Sequence, residues 1–283
     1  MISGILQYEF LQNAFLTGII IGIIAPLIGV FVVVRRLSLI ADALSHVTLA
    51  GIAASLLLEK RFLPVGTLNP IYMGMFFSVS GSLLLEKLRS VYKHYEELAI
   101  PIIMSGGVGL SVLFISLADG FNTDLFSYLF GSVSAVTRLD LWTILIISIF
   151  VIVIVSMLYK ELFIISFDEE HAKASGLPVK GLHLLFMIMV ALVIASSMRI
   201  VGVLLVSSLM TLPVAAAIRI ANGFKQTIIY SIIFGETSVL GGLIISYYLD
   251  LAPGGTIVII SIIILMVTIF LKKWTLKRKV RGV

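Results

Sequence analysis

The sequence predicts an all-α integral membrane protein of about eight to nine transmembrane helices. Three observations predict it. Hydrophobic residues make up 60% of the chain, charged ones only 12%, and the mean hydropathy is +1.16, far from the even mixture of a water-soluble domain. Uncharged runs long enough to cross a hydrocarbon core of roughly 30 Å recur along the whole length. Lysine and arginine cluster between alternate runs, as membrane topology requires.

Seven runs are free of Asp, Glu, Lys and Arg: Phe10 to Val34, Phe62 to Leu85, Leu98 to Ala118, Leu141 to Tyr159, Gly181 to Met198, Ile200 to Ile218 and Leu251 to Leu271. Two more are interrupted, Leu37 to Leu58 by Asp42 and His46, and Thr227 to Leu249 by Glu236. Leu125 to Ala135 is apolar but too short to span, and is expected to be re-entrant or interfacial. The first run lacks a basic flank before it and is followed by Arg35 and Arg36, so it is expected to be a retained span rather than a signal peptide.

With nine spans and an inner C-terminus, sixteen of the 20 basic residues fall inside: Arg35, Arg36, Lys87, Arg89, Lys93, Lys160, Lys173, Lys180, Arg219, Lys225 and six in the tail 272–283. Lys60, Arg61, Arg138 and Arg199 fall outside. The expected orientation is N-terminus out, C-terminus in. The net charge of +5 then reports orientation and contact with anionic lipids, with no need of nucleic acid. The absence of cysteine excludes disulfides and thiolate metal sites, and argues against copper(I).

The polar stretches are too short to house an enzyme, so residues 1–283 read as a single membrane domain. Its longest inner loop covers about 160–180. No internal repeat is evident, which makes a homodimer the simpler source of two-fold symmetry. There is no G-x-x-x-x-G-K-[ST], H-E-x-x-H or G-x-S-x-G, so ATP hydrolysis, proteolysis and serine chemistry find no support in this chain. The intramembrane glycines are read as packing residues.

Asp42 and His46 in ADALSHVTLAG stand four residues apart, on one helix face. Ser38 precedes them on that face and Ala50 and Ala54 follow, a polar and small-sided strip among Leu, Ile and Val. An ionised carboxylate within a span costs about 3 kcal/mol even on lenient scales. A carboxylate oxygen with an imidazole nitrogen suits zinc, manganese or iron(II). The pair alone also fits a hydrogen-bonded tie between helices.

Ser166 to Val179, SFDEEHAKASGLPV, predicts a short amphipathic helix with acidic residues at its start and Gly176 and Pro178 as stops. It could dock on a partner or form a solvated interfacial turn. Pro213 should kink its helix, which can line a cavity or let a gate move, and Glu236 is either a gating or supporting carboxylate or a salt bridge or hydrogen bond to a neighbouring helix. His94, His171 and His183 are expected at the surface.

Taken together, these stretches resemble the permease subunits of bacterial zinc and manganese ABC importers, the ZnuB and MntB type. The resemblance rests on VVVRRLSLIADALSHVTLAGIA at 32–53, YLFGSV at 128–133, FDEEHAKASGLPV at 167–179, VGVLLVSSLMTLPVAAA at 201–217 and SYYLDLAPGGTIVI at 246–259. It departs from the family pattern at Ala41, at Thr48 to Ala50 and in PVAAA.

The resemblance implies a type II ABC-importer fold with a short cytoplasmic coupling helix. It implies an intramembrane metal site at Asp42 and His46, and a coupling element at Asp168, Glu170, Ala172 and Gly176. It also implies two permease chains, a cytoplasmic ATP-binding subunit and an extracellular metal-binding lipoprotein, with no permanently bound cofactor. The wording around YEFLQNAFL, VYKHYEELAIPIIMSGG and SLIADALSHVTLAG is closer to zinc permeases of Gram-positive bacteria, so zinc is the expected cargo. Manganese or iron import, a secondary metal carrier and a metal-binding membrane scaffold are the alternatives.

Overall fold

The computed structural model describes residues 8–61, 69–92, 94–118, 120 and 123–281. Among them there is no strand. The helices are α1 (Glu9–Val34), α2 (Ser38–Arg61), α3 (Pro70–Val91), α4 (Ala99–Leu117, after a 3₁₀ turn at Glu96–Leu98), α5 (Thr123–Phe130) and α6 (Arg138–Met157). They continue as α7 (Tyr159–Phe167), α8 (Glu169–Ala174), α9 (Val179–Val201), α10 (Val206–Ile220), α11 (Phe224–Leu249) and α12 (Pro253–Arg281).

Among the described residues each of the nine predicted runs lies mostly in helix, and seven helices are long and apolar enough to cross a membrane: α1, α2, α4, α6, α9, α11 and α12. The two exceptions are informative. α3 begins at Pro70 rather than Phe62, because the Asn69 side chain caps it by accepting from Ile71 N at 3.1 Å and Pro70 occupies its first turn. Residues 62–68 lie outside the described residues.

α10 is only 15 residues long, because the run predicted from Ile200 is broken. Gly202, at φ +84°, ends α9, and the chain runs without helix to Leu205. The amide groups freed there are satisfied by α5: Val203 N donates to Tyr128 O at 2.9 Å, and in return Ser132 N donates to Arg199 O at 3.1 Å. Irregular backbone at membrane depth is tolerable only when it is covered in this way.

Three glycines close that junction. A Cβ on Gly131 would lie 2.0 Å from Ile200 O, one on Gly202 2.5 Å from Leu129 O, and one on Gly254 1.9 Å from Val201 O. The short segment expected to be interfacial is therefore α5, docked on the break between α9 and α10 and held by α12. Leu125 and Tyr128 of α5 are buried.

Beside this junction lies a buried ion pair. Arg199 of α9 pairs with Asp140, which is 0% exposed, at 2.5 Å. Asp140 also accepts from Thr137 N at 2.9 Å in a capping box, and from Asn69 Nδ2 at 3.1 Å. The Arg199 guanidinium stacks over the Tyr128 ring at 5.5 Å. Three helix ends, α3, α6 and α9, meet in this one polar knot.

The core is formed mainly by α1, α2, α9 and α10, with Ile24, Ile28, Phe31, Leu44, Phe186 and Leu209 fully enclosed. α1 and α10 approach until a Cβ on Gly29 would lie 2.0 Å from Met210 O. α6, α11 and α12 turn exposed apolar residues such as Ile146, Ile233 and Ile263 outward, as lipid-facing helices must.

Charge is segregated between the two ends of the bundle. Arg35, Arg36, Arg89, Lys173 and Lys180 surround one cavity, beyond the C-terminus of α1. At the far end Arg138 pairs with Glu9 at the start of α1, and Arg61 donates to Leu117 O at 3.2 Å. α1 alone, at about 1.5 Å per residue, separates these ends by roughly 39 Å. The helical tail continues α12 to Arg281, and Lys93 lies outside the described residues.

Two outcomes are expected in thermal unfolding of detergent-solubilised protein. Gly202→Ala lowers stability by about 2 kcal/mol or more, whereas Gly106→Ala, where no atom lies within 4 Å of the added methyl, leaves it unchanged. Asp140→Leu, which strands a buried guanidinium, costs about 3–5 kcal/mol, and Asp140→Leu with Arg199→Met restores most of it.

Candidate functional site

The outward strip of α2 is short. Leu39 is exposed and Asp42 and His46 are half-buried, but Ala50 and Ala54 are covered at 0% and 8%. The polar part of the predicted face is thus accessible and its small-sided continuation is packed. Asp42 lies four residues into α2 and His46 eight, so the pair occupies roughly 6–12 Å of helix rise beyond Ser38.

Asp42 has a partner that spacing could not reveal. Ser207 Oγ, in the first turn of α10, donates to Asp42 Oδ1 at 3.3 Å. Ser208 and Thr211 follow Ser207 on α10, both half-buried. α2 and α10 thus place carboxylate, imidazole and hydroxyl groups along one accessible seam.

α4 fixes the back of His46. A Cβ on Gly107 would lie 2.8 Å from Val47 N, and Ser111 Oγ donates to Gly107 O at 2.7 Å and approaches His46 O at 3.3 Å. The glycine lets the two backbones meet, which fixes the turn of α2 that bears the imidazole.

Among the described residues, no group of three or more His, Asp, Glu or Cys stands close enough to hold a metal ion. One chain therefore offers Asp42 and His46 as strong ligands, with Ser207 as a weaker oxygen donor beside them. Pro213 is buried in α10, which continues through it to Ile220. Glu236 sits on α11 against Gly22 of α1, away from this seam.

The acidic loop forms α8, shorter than the predicted 166–179 because Phe167 ends α7 and Pro178 starts α9. Asp168 caps α8, accepting from His171 N at 2.8 Å. Ala172 is fully buried against Ile165, Val179 and Leu182. Gly176 turns the chain away at φ +81°, so three of the four motif residues shape this short helix. Glu170 stands exposed on it. The Lys173 ammonium, bonded to Glu169 at 2.7 Å, holds the Glu169 carboxyl below the usual carboxylate range.

His94 and His171 are exposed as expected, but His183 is not a surface residue. It is 9% exposed on α9. Arg35 bonds to its Nδ1, and its Nε2 stands 2.9 Å from Glu86 Oε2 and 3.3 Å from the Arg89 guanidinium. Arg89, also beside the ring, reaches Glu96 at 2.8 Å. These groups line a cavity of about 700 Å³ together with Glu169 and Lys173 of α8. The α1–α2 elbow, which leads within six residues to Asp42, thereby shares one polar cluster with the acidic helix. Nearness of His183 to Lys180 in the sequence suggested a loop, and partners in α1 and α3 could not be read from it.

The sequence as a whole matches the ABC 3 transport family over residues 7–272. It is 36% identical over 282 residues to the manganese import system permease protein ScaB of Streptococcus gordonii, covering 99% of this chain and 98% of that protein. It is 35% identical over 266 residues to the manganese transport system membrane protein MntC of Listeria monocytogenes, covering 94% and 92%. Among solved structures, PsaBC from Streptococcus pneumoniae in complex with Fab superposes with a TM-score of 0.85 at 32% identity, over 98% of each chain. Matched over nearly its whole length, the chain is a permease of the ABC 3 transport family.

Proposed function

We propose that this chain is the membrane permease of an ATP-driven importer that carries a divalent metal ion into the bacterial cytoplasm. The observation that carries the reading is the accessible seam of Asp42, His46 and Ser207. An ionised carboxylate cannot face lipid without a cost of several kcal/mol, so this strip faces water or another protein surface. Two copies related by a two-fold axis, with their α2–α10 seams facing a central path, satisfy that demand. Asp42 and His46 from each copy then give two oxygens and two nitrogens, and the two carboxylates neutralise the cation.

Such a set should bind weakly enough to release its ion, since a closed cage would trap it. ATP binding at a separate cytoplasmic subunit would act through Asp168, Glu170, Ala172 and Gly176 of α8, with exposed Glu170 available to the partner. An extracellular metal-binding lipoprotein would deliver the ion at the opposite end. The basic residues around the α8 cavity favour that end as cytoplasmic, which supports an orientation with the N-terminus outside and the C-terminus inside. Pro213, inside α10 next to the seam, and Glu236 on α11 mark the helices whose movement would gate the path.

For the ion, manganese is the better supported choice. Relatives carry manganese in their names, and the hydroxyl at Asp42 adds a hard oxygen donor that suits manganese more than tetrahedral zinc. Zinc, which the wording of the sequence favoured, is the second reading, since a histidine-carboxylate set also suits it.

The test is uptake of radiolabelled manganese and zinc by cells that express the permease with its ATPase and binding protein. Asp42→Asn and His46→Ala each lower manganese uptake more than about tenfold while the protein still reaches the membrane, and Ser207→Ala lowers it less. Normal uptake in both of the first two sinks the proposed path. A zinc preference in the unaltered protein would overturn the choice of metal alone. A separate outcome concerns α8: Gly176→Val, which forces a β-branched residue to φ +81°, abolishes co-purification of the ATPase with the permease.

A further inference from the structure

Glu236 lies in the thirteenth position of α11, about 18 Å of helix rise from Phe224, and so near the middle of its span. Its carboxyl group packs on α1, where a Cβ on Gly22 would lie 2.9 Å from Oε1 and 3.0 Å from the carboxyl carbon. Oε1 is buried and accepts no hydrogen bond among the described residues. A buried carboxylate oxygen left in that state is among the costliest arrangements a protein can hold.

The surroundings offer no counter-charge. α11 packs against α1, α10 and α12. Their ionisable residues are Glu9 at the start of α1, Arg219 in the last turn of α10 and the basic tail of α12 from Lys272 onward. On α11 itself, Lys225 is at the first turn, Tyr230 six residues before Glu236, and Tyr247 and Tyr248 near the far end. None of these residues forms an ion pair or hydrogen bond with Glu236 among the described contacts.

What the surroundings do offer is an acceptor. Pro26 stands inside α1 and has no N–H, so the carbonyl of Gly22, four residues earlier, lacks its helical donor. α11 comes close at that same carbonyl: a Cβ on Gly235 would lie 2.8 Å from Gly22 O and 2.4 Å from the Pro26 ring. A carboxylate would repel this oxygen, whereas a carboxylic acid can donate to it. One proton on this half-buried side chain would remove the charge and give the group a donor that Gly22 O could accept.

We propose that Glu236 is a proton-binding site: its carboxyl group carries a proton in the resting protein and donates it as a hydrogen bond to the carbonyl of Gly22. The α1–α11 seam is then closed by a neutral acid. Loss of that proton would place a charge at mid-membrane and force the seam to open or to take up a cation. The proposal stands apart from the metal path at Asp42 and His46, because it is read without transport.

The experiment is infrared difference spectroscopy of the permease in lipid nanodiscs at neutral pH, comparing the unaltered protein with Glu236→Gln, which keeps the size and a donor but cannot ionise. The expected spectrum contains a protonated carboxylic-acid C=O band that moves in heavy water and is missing from Glu236→Gln. In Pro26→Ala, which returns a helical donor to Gly22, the band moves to higher frequency. Absence of the band from the unaltered protein, or a band that persists in a normally folded Glu236→Gln, overturns the proposal. A band unmoved by Pro26→Ala overturns Gly22 as the acceptor.

Discussion

Hydrocarbon supplies no hydrogen bonds, and that single constraint decides where this chain can place a polar atom. Most of its intramembrane hydroxyls are returned to their own helices: Ser45 donates to Ala41 O, Ser148 to Ile144 O, Ser197 to Val193 O and Ser231 to Thr227 O. The non-helical backbone at 202–205 is answered by the carbonyls at the end of α5, and the charge on Asp140 by Arg199, Asn69 and Thr137. Against this background the accessible carboxylate and imidazole of α2 stand out. They are satisfied only if something other than lipid lies in front of them.

The same constraint explains why so much of the fold was legible in the sequence. A helix that must satisfy its own backbone in lipid has to be long, apolar and uncharged, and hydropathy finds such helices directly. It failed where local chemistry overrode it. Asn69 and Pro70 are a capping pair that starts α3 at Pro70, eight residues after hydropathy began its run. The break at Gly202 was hidden because irregular backbone covered by protein is as apolar as the helices beside it. A glycine with positive φ between two apolar stretches was the available signal, and its meaning depended on Gly131 and Gly254, which are distant in sequence. The basic tail was set outside the last span because charge argues against a span, yet charge does not prevent α12 from continuing as a helix to Arg281.

For the functional residues, short-range pattern was readable and long-range partnership was not. Asp42 and His46 were visible because four residues put them on one face. Asp168 and Gly176 were visible because caps and stops have local signatures, whereas Ala172 entered only through the family resemblance. Ser207 is 165 residues from Asp42, and no spacing connects them. His183 looked like a loop histidine because Lys180 precedes it, and its buried place depends on Arg35 and Glu86. Those contacts give the account a physical link between the two functional regions: the elbow that leads into α2 and the helix that would meet the ATPase share one cluster of charges.

The central claim is that the α2–α10 seam faces water within the membrane. A chain with no cysteine allows a direct measurement, in which single cysteines are introduced and their labelling by a membrane-impermeant thiol reagent is followed in nanodiscs. The account predicts that Thr211→Cys on the seam is labelled, that manganese slows its labelling, and that Ile233→Cys on the outward face of α11 stays unlabelled. Labelling at Ile233→Cys with none at Thr211→Cys would contradict it.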